Sequence, residues 1–263
     1  MAGWLLILVL FAPLAALSQE RPADDGVRAG VGLRRDTRLE RLDLHELRNR
    51  LLHEVDWKLT LGVAEVHAEN GDRLTATPFQ VRARFNQGRT AFKLSGDGYD
   101  RLRSRGETAA GFADVNAMLT QVVAEDAVLE GGLTLPAGGE VGSSHARERV
   151  GAIYHHAFST RWEGQVHGRL TRYDGELKPG VARVRRLALV QAAYNLDAPR
   201  SDIVLQLLRT QRAGSTSASS VAAAYEFPLA QRRRPPMASL SFTRGITSGA
   251  HDNAVEADLS FRW

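Results

Sequence analysis

The sequence predicts an all-β fold, a transmembrane antiparallel up-and-down β-barrel of about twelve strands, and three observations carry the prediction. The first is the stretch Asn253 to Trp263. There Val255, Ala257, Leu259, Phe261 and Trp263 alternate with Ala254, Glu256, Asp258, Ser260 and Arg262. Successive side chains of a strand point to opposite faces, so one face is wholly apolar and the other carries the charges. The second observation is that this alternation recurs along the chain, with connections that are by turns short and long. The third is that aromatic residues gather at one predicted end of the strands.

Composition agrees with this class. The 263 residues suffice for one large all-β domain or two small ones. The mean hydropathy of -0.26 suits a barrel, whose polar lumen positions alternate with apolar lipid-facing ones; a helical membrane protein would score higher. Beyond the N-terminus no apolar run approaches the roughly 20 residues that a spanning helix needs. There is no cysteine, which excludes thiol catalysis and cysteine-based metal sites. The formal charge is +4 and the pI about 9.7. Such a balance fits nucleic acid or anionic lipid, but no nucleic-acid motif accompanies it and no nucleic-acid partner is expected. An arginine-rich lumen accounts for it equally well. No cofactor is implied.

Residues 1–18 have an apolar core ending in Ala16-Leu17-Ser18, and read as a signal peptide cleaved before Gln19. The absence of Lys and Arg from its start leaves an uncleaved membrane anchor as the alternative. Residues 19–54 form a leader. Within it Asp36 can cap a helix and Leu39, Leu42, Leu47 and Leu51 follow helical spacing, so 36–54 is either a short helix or a partly ordered linker. The barrel is assigned to 55–263.

From Val55 the period becomes two. Val55, Trp57, Leu59, Leu61 and Val63 oppose Asp56, Lys58 and Thr60, and Asn70-Gly71 marks a tight hairpin. Phe79, Val81, Ala83 and Phe85 oppose Gln80, Arg82 and Arg84. Gln87-Gly88 turns the chain into Phe92 and Leu94, with Lys93 opposed, and Ser95 to Ala110 reads as a long polar loop. Ala113, Val115, Ala117 and Leu119 oppose Asp114 and Asn116. After Glu125-Asp126, Leu129, Leu133 and Leu135 oppose Glu130 and Thr134, and a loop from Pro136 to about Arg149 follows. The strand from Val150 to Phe158 puts His155 and His156 on different faces. Trp162, Val166 and Leu170 oppose Gln165, His167, Arg169 and Thr171. Ala188, Val190, Ala192 and Tyr194 are the outer set of the next strand. Strands near Ile203 to Arg209, Val221 to Phe227, Ala238 to Thr243 and the C-terminal stretch complete the count.

Connections near 87, 125, 160 and 199 are short, as periplasmic turns are; those near 102, 143, 177, 216 and 248 are longer. Asn70-Gly71 is short for an outer connection, and 231–236 is long for a periplasmic one. With this count Trp57, Phe85, Phe92, Phe158, Trp162, Tyr194, Phe227 and Trp263 all fall at periplasmic strand ends, where an aromatic girdle meets the bilayer interface. Phe261 and Trp263 close that girdle and make the last strand a candidate insertion signal. The opposite end shows little beyond Phe112. The competing fold is an exported soluble sandwich or lipocalin-like barrel. It would hold the apolar set inside and leave Arg82, Arg84, Arg169 and Arg262 in water.

Gly111-Phe112-Ala113-Asp114-Val115, followed by Gly132-Leu133-Thr134-Leu135-Pro136-Ala137-Gly138, resembles the outer-membrane proteins of the meta-pathway of phenol degradation. That family has a Gly-Phe-Gly-Asp-like strand start and a Leu-Pro-Thr-Gly-like strand end; here Ala113 and Ala137 replace the middle Gly and the Thr. The likeness runs from about Gly106 to Arg172. It implies an outer-membrane barrel for uptake of small molecules, aromatic or otherwise hydrophobic, and it brings no catalytic or binding residues. In the motif Gly111 reads as a loop-to-strand corner, and Pro136 ends pairing. The closing aromatic residue also looks like the signal read by the barrel-assembly machinery.

Catalysis is not expected. A nucleophilic pair needs its side chains in hydrogen-bond reach and a third group to orient the base, but Ser143, Ser144 and His145 fall in a predicted loop and Ser159 at a turn, and no motif of a barrel hydrolase is present. His155, His156 and His167 show no clear carboxylate partner, so no metal is assigned. The informative set is the predicted lumen lining: Arg82, Arg84, Lys93, His167, Arg169, Arg183 and Arg262 with Asp56, Asp114, Glu130, Glu226, Glu256 and Asp258. These either form a charge ladder that fills the barrel or line a pathway for polar or anionic solutes. The expected role is passage or binding of small molecules. A structural or surface-interaction barrel with a filled lumen is the alternative from another class, and a barrel-embedded lipid hydrolase stands behind both. The expected partners are outer-membrane lipid, the assembly machinery and a small solute.

Overall fold

The computed structural model describes residues 56–68, 71–86, 89–104, 107–137, 146–173, 182–196, 201–214, 217–231, 235–247 and 252–263. The signal peptide, the leader with its helix at 36–54, Asn70, Gln87-Gly88, Ser143 to His145 and the turn at 197–199 lie outside them. The strands are β1 (Asp56–Ala68), β2 (Arg73–Ala76), β3 (Phe79–Phe85), β4 (Thr90–Gly96), β5 (Tyr99–Ser104), β6 (Glu107–Phe112), β7 (Val115–Ala124), β8 (Ala127–Leu135), β9 (Arg147–Ala157), β10 (Trp162–Tyr173), β11 (Val184–Leu196), β12 (Ser201–Arg212), β13 (Ala218–Pro228), β14 (Met237–Gly245) and β15 (Asp252–Arg262).

Three pairs of these are halves of single long strands. β2 and β3 both pair with β1 in one unbroken register, and β4/β5 pair with β6/β7 in another. Counted once each, the strands form a closed antiparallel barrel of twelve. Closure is made by β15 on β1, from Lys58 against Arg262 to Ala68 against Asp252. The backbones of Trp57 and Trp263 lock the seam's end with two hydrogen bonds of 3.1 Å, each amide donating to the other's carbonyl. A closed sheet has no exposed edge, which satisfies the backbone of every membrane-crossing strand.

The breaks within the long strands have local causes. Pro78 lacks an amide, but its carbonyl accepts from Gly62 N at 2.8 Å, so β2/β3 stays on β1. On the other side Phe79 pairs with Gly96, whereas Ala76 pairs with Asp100, a slip of one residue. It is absorbed at Asp97-Gly98, where Thr77 N donates to both Asp97 O and Tyr99 O and Gly98 takes φ 63°. This is a β-bulge, with two residues facing one. Ala113-Asp114 opposite makes the matching break, so the outward set changes from Phe92 and Leu94 to Tyr99, Arg101 and Arg103, and from Val115 to Phe112.

These details correct three expectations. Residues 95–110 are not a long loop: β4 continues as β5 and returns as β6, a hairpin that projects past the strand end at Leu135. Both of its faces carry polar residues, so hydropathy alternation no longer marks it. Gly111 lies within β6 rather than at a corner; the corner is Ala113-Asp114. Ala113 is buried at that bulge instead of joining the outward row of Val115, Ala117 and Leu119.

The apolar residues lie mainly on the outside. Leu61, Leu133, Leu205 and Leu240 are each about half exposed, whereas the inward rows of most strands are polar. Inward apolar clusters are small: Val66 with Leu74, and Leu187 with Leu189 and Leu208. This inversion excludes the soluble barrel. The girdle is also in place. Trp162 and Tyr194 face each other in register with ring centroids 4.8 Å apart, and Tyr225 stacks on Phe227 at 5.2 Å. At the other end Tyr99 meets Phe112 edge-on at 5.8 Å, a second aromatic contact that Phe112 alone did not suggest.

Candidate functional site

The site is the barrel interior, and register decides which of its charges meet. Lys58 faces Arg262 on one side and Arg82 on the other, and Arg82 faces Lys93. Four basic side chains thus run in one row across β15, β1, β3 and β4. One row nearer the girdle, Asp56 faces Arg84 and accepts two hydrogen bonds from Arg262 Nε, at 2.8 and 3.0 Å. Like charges directly opposed oppose folding, so this row depends on the acids beside it. Arg82, Arg84 and Asp56 are all buried, and none of the row's charges stands alone.

A second basic group occupies β9 to β12 towards the long-loop end. Arg147, Arg185 and Arg212 set their guanidinium carbons 5.3, 5.6 and 4.2 Å from the centroid of the Tyr173 ring. Such cation–π contacts strengthen when desolvated. Tyr173 pairs with Arg147 across β10 and β9, and Arg185 faces Arg212 directly. Arg147 Nη2 donates to Asp114 Oδ2 at 3.2 Å, and Asp114 Oδ1 accepts from the Ala137 amide. Arg149 and Arg169 are buried in the same wall.

Apart from Asp56 and Asp114, which sit within the two basic groups, a separate set of acids lies across β12 to β15. Asp202 faces Glu226, and Ser239 lies between Glu226 and Asp258 in register. Glu256 is two positions further along the inward row of β15. The interior therefore has two basic walls and one acidic stretch across β12 to β15.

Between them is a polar mid-section. His167 Nε2 and Glu130 Oε1 are 2.7 Å apart, both almost fully buried, although their strands are not neighbours. β9 lies between, and at that level it carries Gly151. A Cβ on Gly151 would come within 2.6 Å of Glu130 Oε1, so its absence lets the carboxylate cross. His155, opposite Gln165 in register, has its Nε2 3.6 Å from the diagonal Glu163 Oε2, and Gln206 donates to Gln191 at 2.5 Å. Each inward imidazole thus has a carboxylate near it that the sequence did not reveal, hydrogen-bonded at His167 and only within ion-pair range at His155. His156 points outward, lies parallel to the Tyr154 ring and meets Phe158 edge-on, so the three histidines do not converge. No metal-holding group of three or more such ligands is found among the described residues.

Of the residues expected in the lumen, Arg82, Arg84, Asp114, Glu130, His167 and Arg169 are buried on inward rows. Lys93, Glu226, Glu256, Asp258 and Arg262 are inward and partly buried. Arg183 is exposed, one residue before β11 begins. Lys58, Arg147, Arg149, Tyr173, Arg185 and Arg212 are inward as well, beyond the expected set. Lys58 was visible as an inward position by alternation. The others lie in or beside stretches read as loops or weak strands, and only register joins them.

No family model matches the chain, and no curated protein matches it. Solved structures do match. An outer-membrane channel from Pseudomonas putida F1 is 13% identical, with a TM-score of 0.58, over 80% of this chain and 95% of that one. The porin NanC is 9% identical, with a TM-score of 0.54, over 77% and 98%. The translocator domain of the autotransporter NalP from Neisseria meningitidis is 9% identical, with a TM-score of 0.50, over 88% and 99%. At these identities the likeness is one of fold. That fold, with the outward apolar belt, is that of a β-barrel of the bacterial outer membrane.

Proposed function

We propose that the barrel passes or binds small molecules, and that small organic anions, aromatic acids among them, are the class its interior suits best. The observation that carries this reading is the in-register basic row Arg262–Lys58–Arg82–Lys93. A barrel of eight strands is just filled by its own side chains, and twelve enclose more. Charged linings of one sign select ions of the other. The resemblance around Gly111–Asp114 and Leu133–Ala137 supports aromatic compounds, and the basic walls favour those that bear an acid group. Outer-membrane lipid, the assembly machinery and the solute are the partners that belong to this reading.

The test is liposome swelling with neutral sugars against benzoate-like carboxylates of similar size. Wild type is expected to admit the carboxylates faster. Arg82→Gln with Lys58→Gln is expected to reduce that preference several-fold while heat-modifiable migration on gels persists. The alternative, a structural barrel with a filled lumen, is favoured by the burial of the His167–Glu130 pair. Absence of solute-dependent swelling in any series would select it and sink the passage reading.

A further inference from the structure

The outward face is not symmetric about its apolar belt. On β10, β11, β12 and β14 an arginine stands two positions beyond a belt residue at the long-loop end, and on β11 one apolar residue, Val184, follows it. Leu170 is succeeded by Arg172, Ala188 by Arg186, Leu207 by Arg209 and Phe242 by Arg244. At the girdle end the same outward rows finish on Trp162, Leu196, Ile203 and Ala238, all uncharged.

Register brings three of these arginines together. Leu170 faces Arg186 and Ala188 faces Arg209, so Arg186 is the diagonal neighbour of Arg172 on one side and of Arg209 on the other. Diagonal neighbours lie about 7–8 Å apart, within reach of one headgroup. The residues directly opposite Arg186 are Leu170 and Gln211, and those opposite Arg209 are Ala188 and Ser219. Arg172 has Glu148 at 3.5 Å, in an exposed pair. Arg209 Nε is shielded and has no hydrogen-bond partner.

Arginine side chains at a membrane boundary reach for the headgroup layer. Any phosphate there satisfies one guanidinium. Three arginines beside the single carboxylate of Glu148 leave a net positive cluster that needs more: an anion of higher charge, with oxygens enough for several forks. A phosphomonoester carries about -1.5 to -2 and three acceptor oxygens, and guanidinium groups bind it bidentately. We propose that Arg172, Arg186 and Arg209, at the long-loop edge of the apolar belt, bind the phosphomonoester groups of a phosphorylated glycolipid in the outer leaflet.

The experiment places the purified full barrel in phosphatidylcholine nanodiscs doped with bisphosphorylated lipid A, dephosphorylated lipid A or phosphatidylglycerol. Lipid retained on the protein is counted by native mass spectrometry. Lipid A is expected to be retained, and the other two to be lost with the bulk lipid. Arg186→Gln with Arg209→Gln is expected to lower lipid A retention by at least about tenfold, with heat-modifiable migration unchanged. The pair of Lys substitutions at the same positions keeps the charge and loses the forks, and is expected to fall between. Equal retention of phosphatidylglycerol, or of lipid A by the Gln variant, would overturn the proposal. Should the Gln variant not fold, wild-type retention by the Lys variant overturns it instead.

Discussion

At the scale of the residue, the interior is governed by what crosses a glycine. Glu130 reaches His167 only because Gly151 of the intervening strand has no side chain. Removing the carboxylate leaves a buried imidazole without its acceptor or donor, at a cost of about 1–3 kcal/mol. Glu130→Ala is therefore expected to unfold at a lower temperature in heat-modifiability gels. Glu130→Gln, which keeps a hydrogen-bonding group in place, is expected to lose less. If both variants match wild type, the pair does not contribute to stability. The inward position of both residues was legible from alternation alone. Their contact was not, because they are 37 residues apart, and spacing says nothing about which strand leaves a gap.

At the scale of the element, the bulge at Asp97-Gly98 decides where the barrel wall ends and the projecting hairpin begins. Gly98 has φ +63°, and a Cβ there would lie 2.5 Å from the Thr77 carbonyl oxygen, a backbone atom that cannot swing aside. Gly98→Val combines a strained backbone with that clash, and a β-branched residue tolerates φ > 0 least. It is expected to free the hairpin β5–β6 while leaving the wall below intact. The measurement is proteolysis of the folded barrel: cleavage between 99 and 112 should rise sharply, with the membrane-embedded fragments still heat-modifiable. Unchanged protection would mean that the bulge is not held by this contact. Alternation located the strands below the bulge because one face meets lipid. Above it, Tyr99, Arg101 and Arg103 oppose Asp100 and Leu102, and no single apolar face remains to be read. The same loss hides the Tyr173 arginine group, which sits beside the long connection near 177.

At the scale of the whole molecule, strand number and closure were legible because lipid enforces a strict outer face on every strand, and because the girdle gave an independent check on direction. The seam shows what the girdle leaves open. Trp57 and Trp263 are paired across it by two backbone hydrogen bonds, both are exposed, and both sit in the same aromatic belt. As girdle residues they are equivalent: each anchors one strand end at the interface. An insertion-signal role, the expectation for the last strand, would set them apart, since only Trp263 lies in the apolar row of β15 with Phe261, Leu259, Ala257 and Val255. The two substitutions Trp57→Ala and Trp263→Ala therefore separate the roles. Refolding into detergent micelles is expected to suffer equally and mildly from either, because each removes one interfacial ring. Recovery in the outer-membrane fraction of cells is expected to drop several-fold more for Trp263→Ala, because assembly in the cell has to recognise the strand before the barrel exists. Equal recovery of the two variants would reduce Trp263 to an anchor and remove the C-terminal strand from any role in recognition.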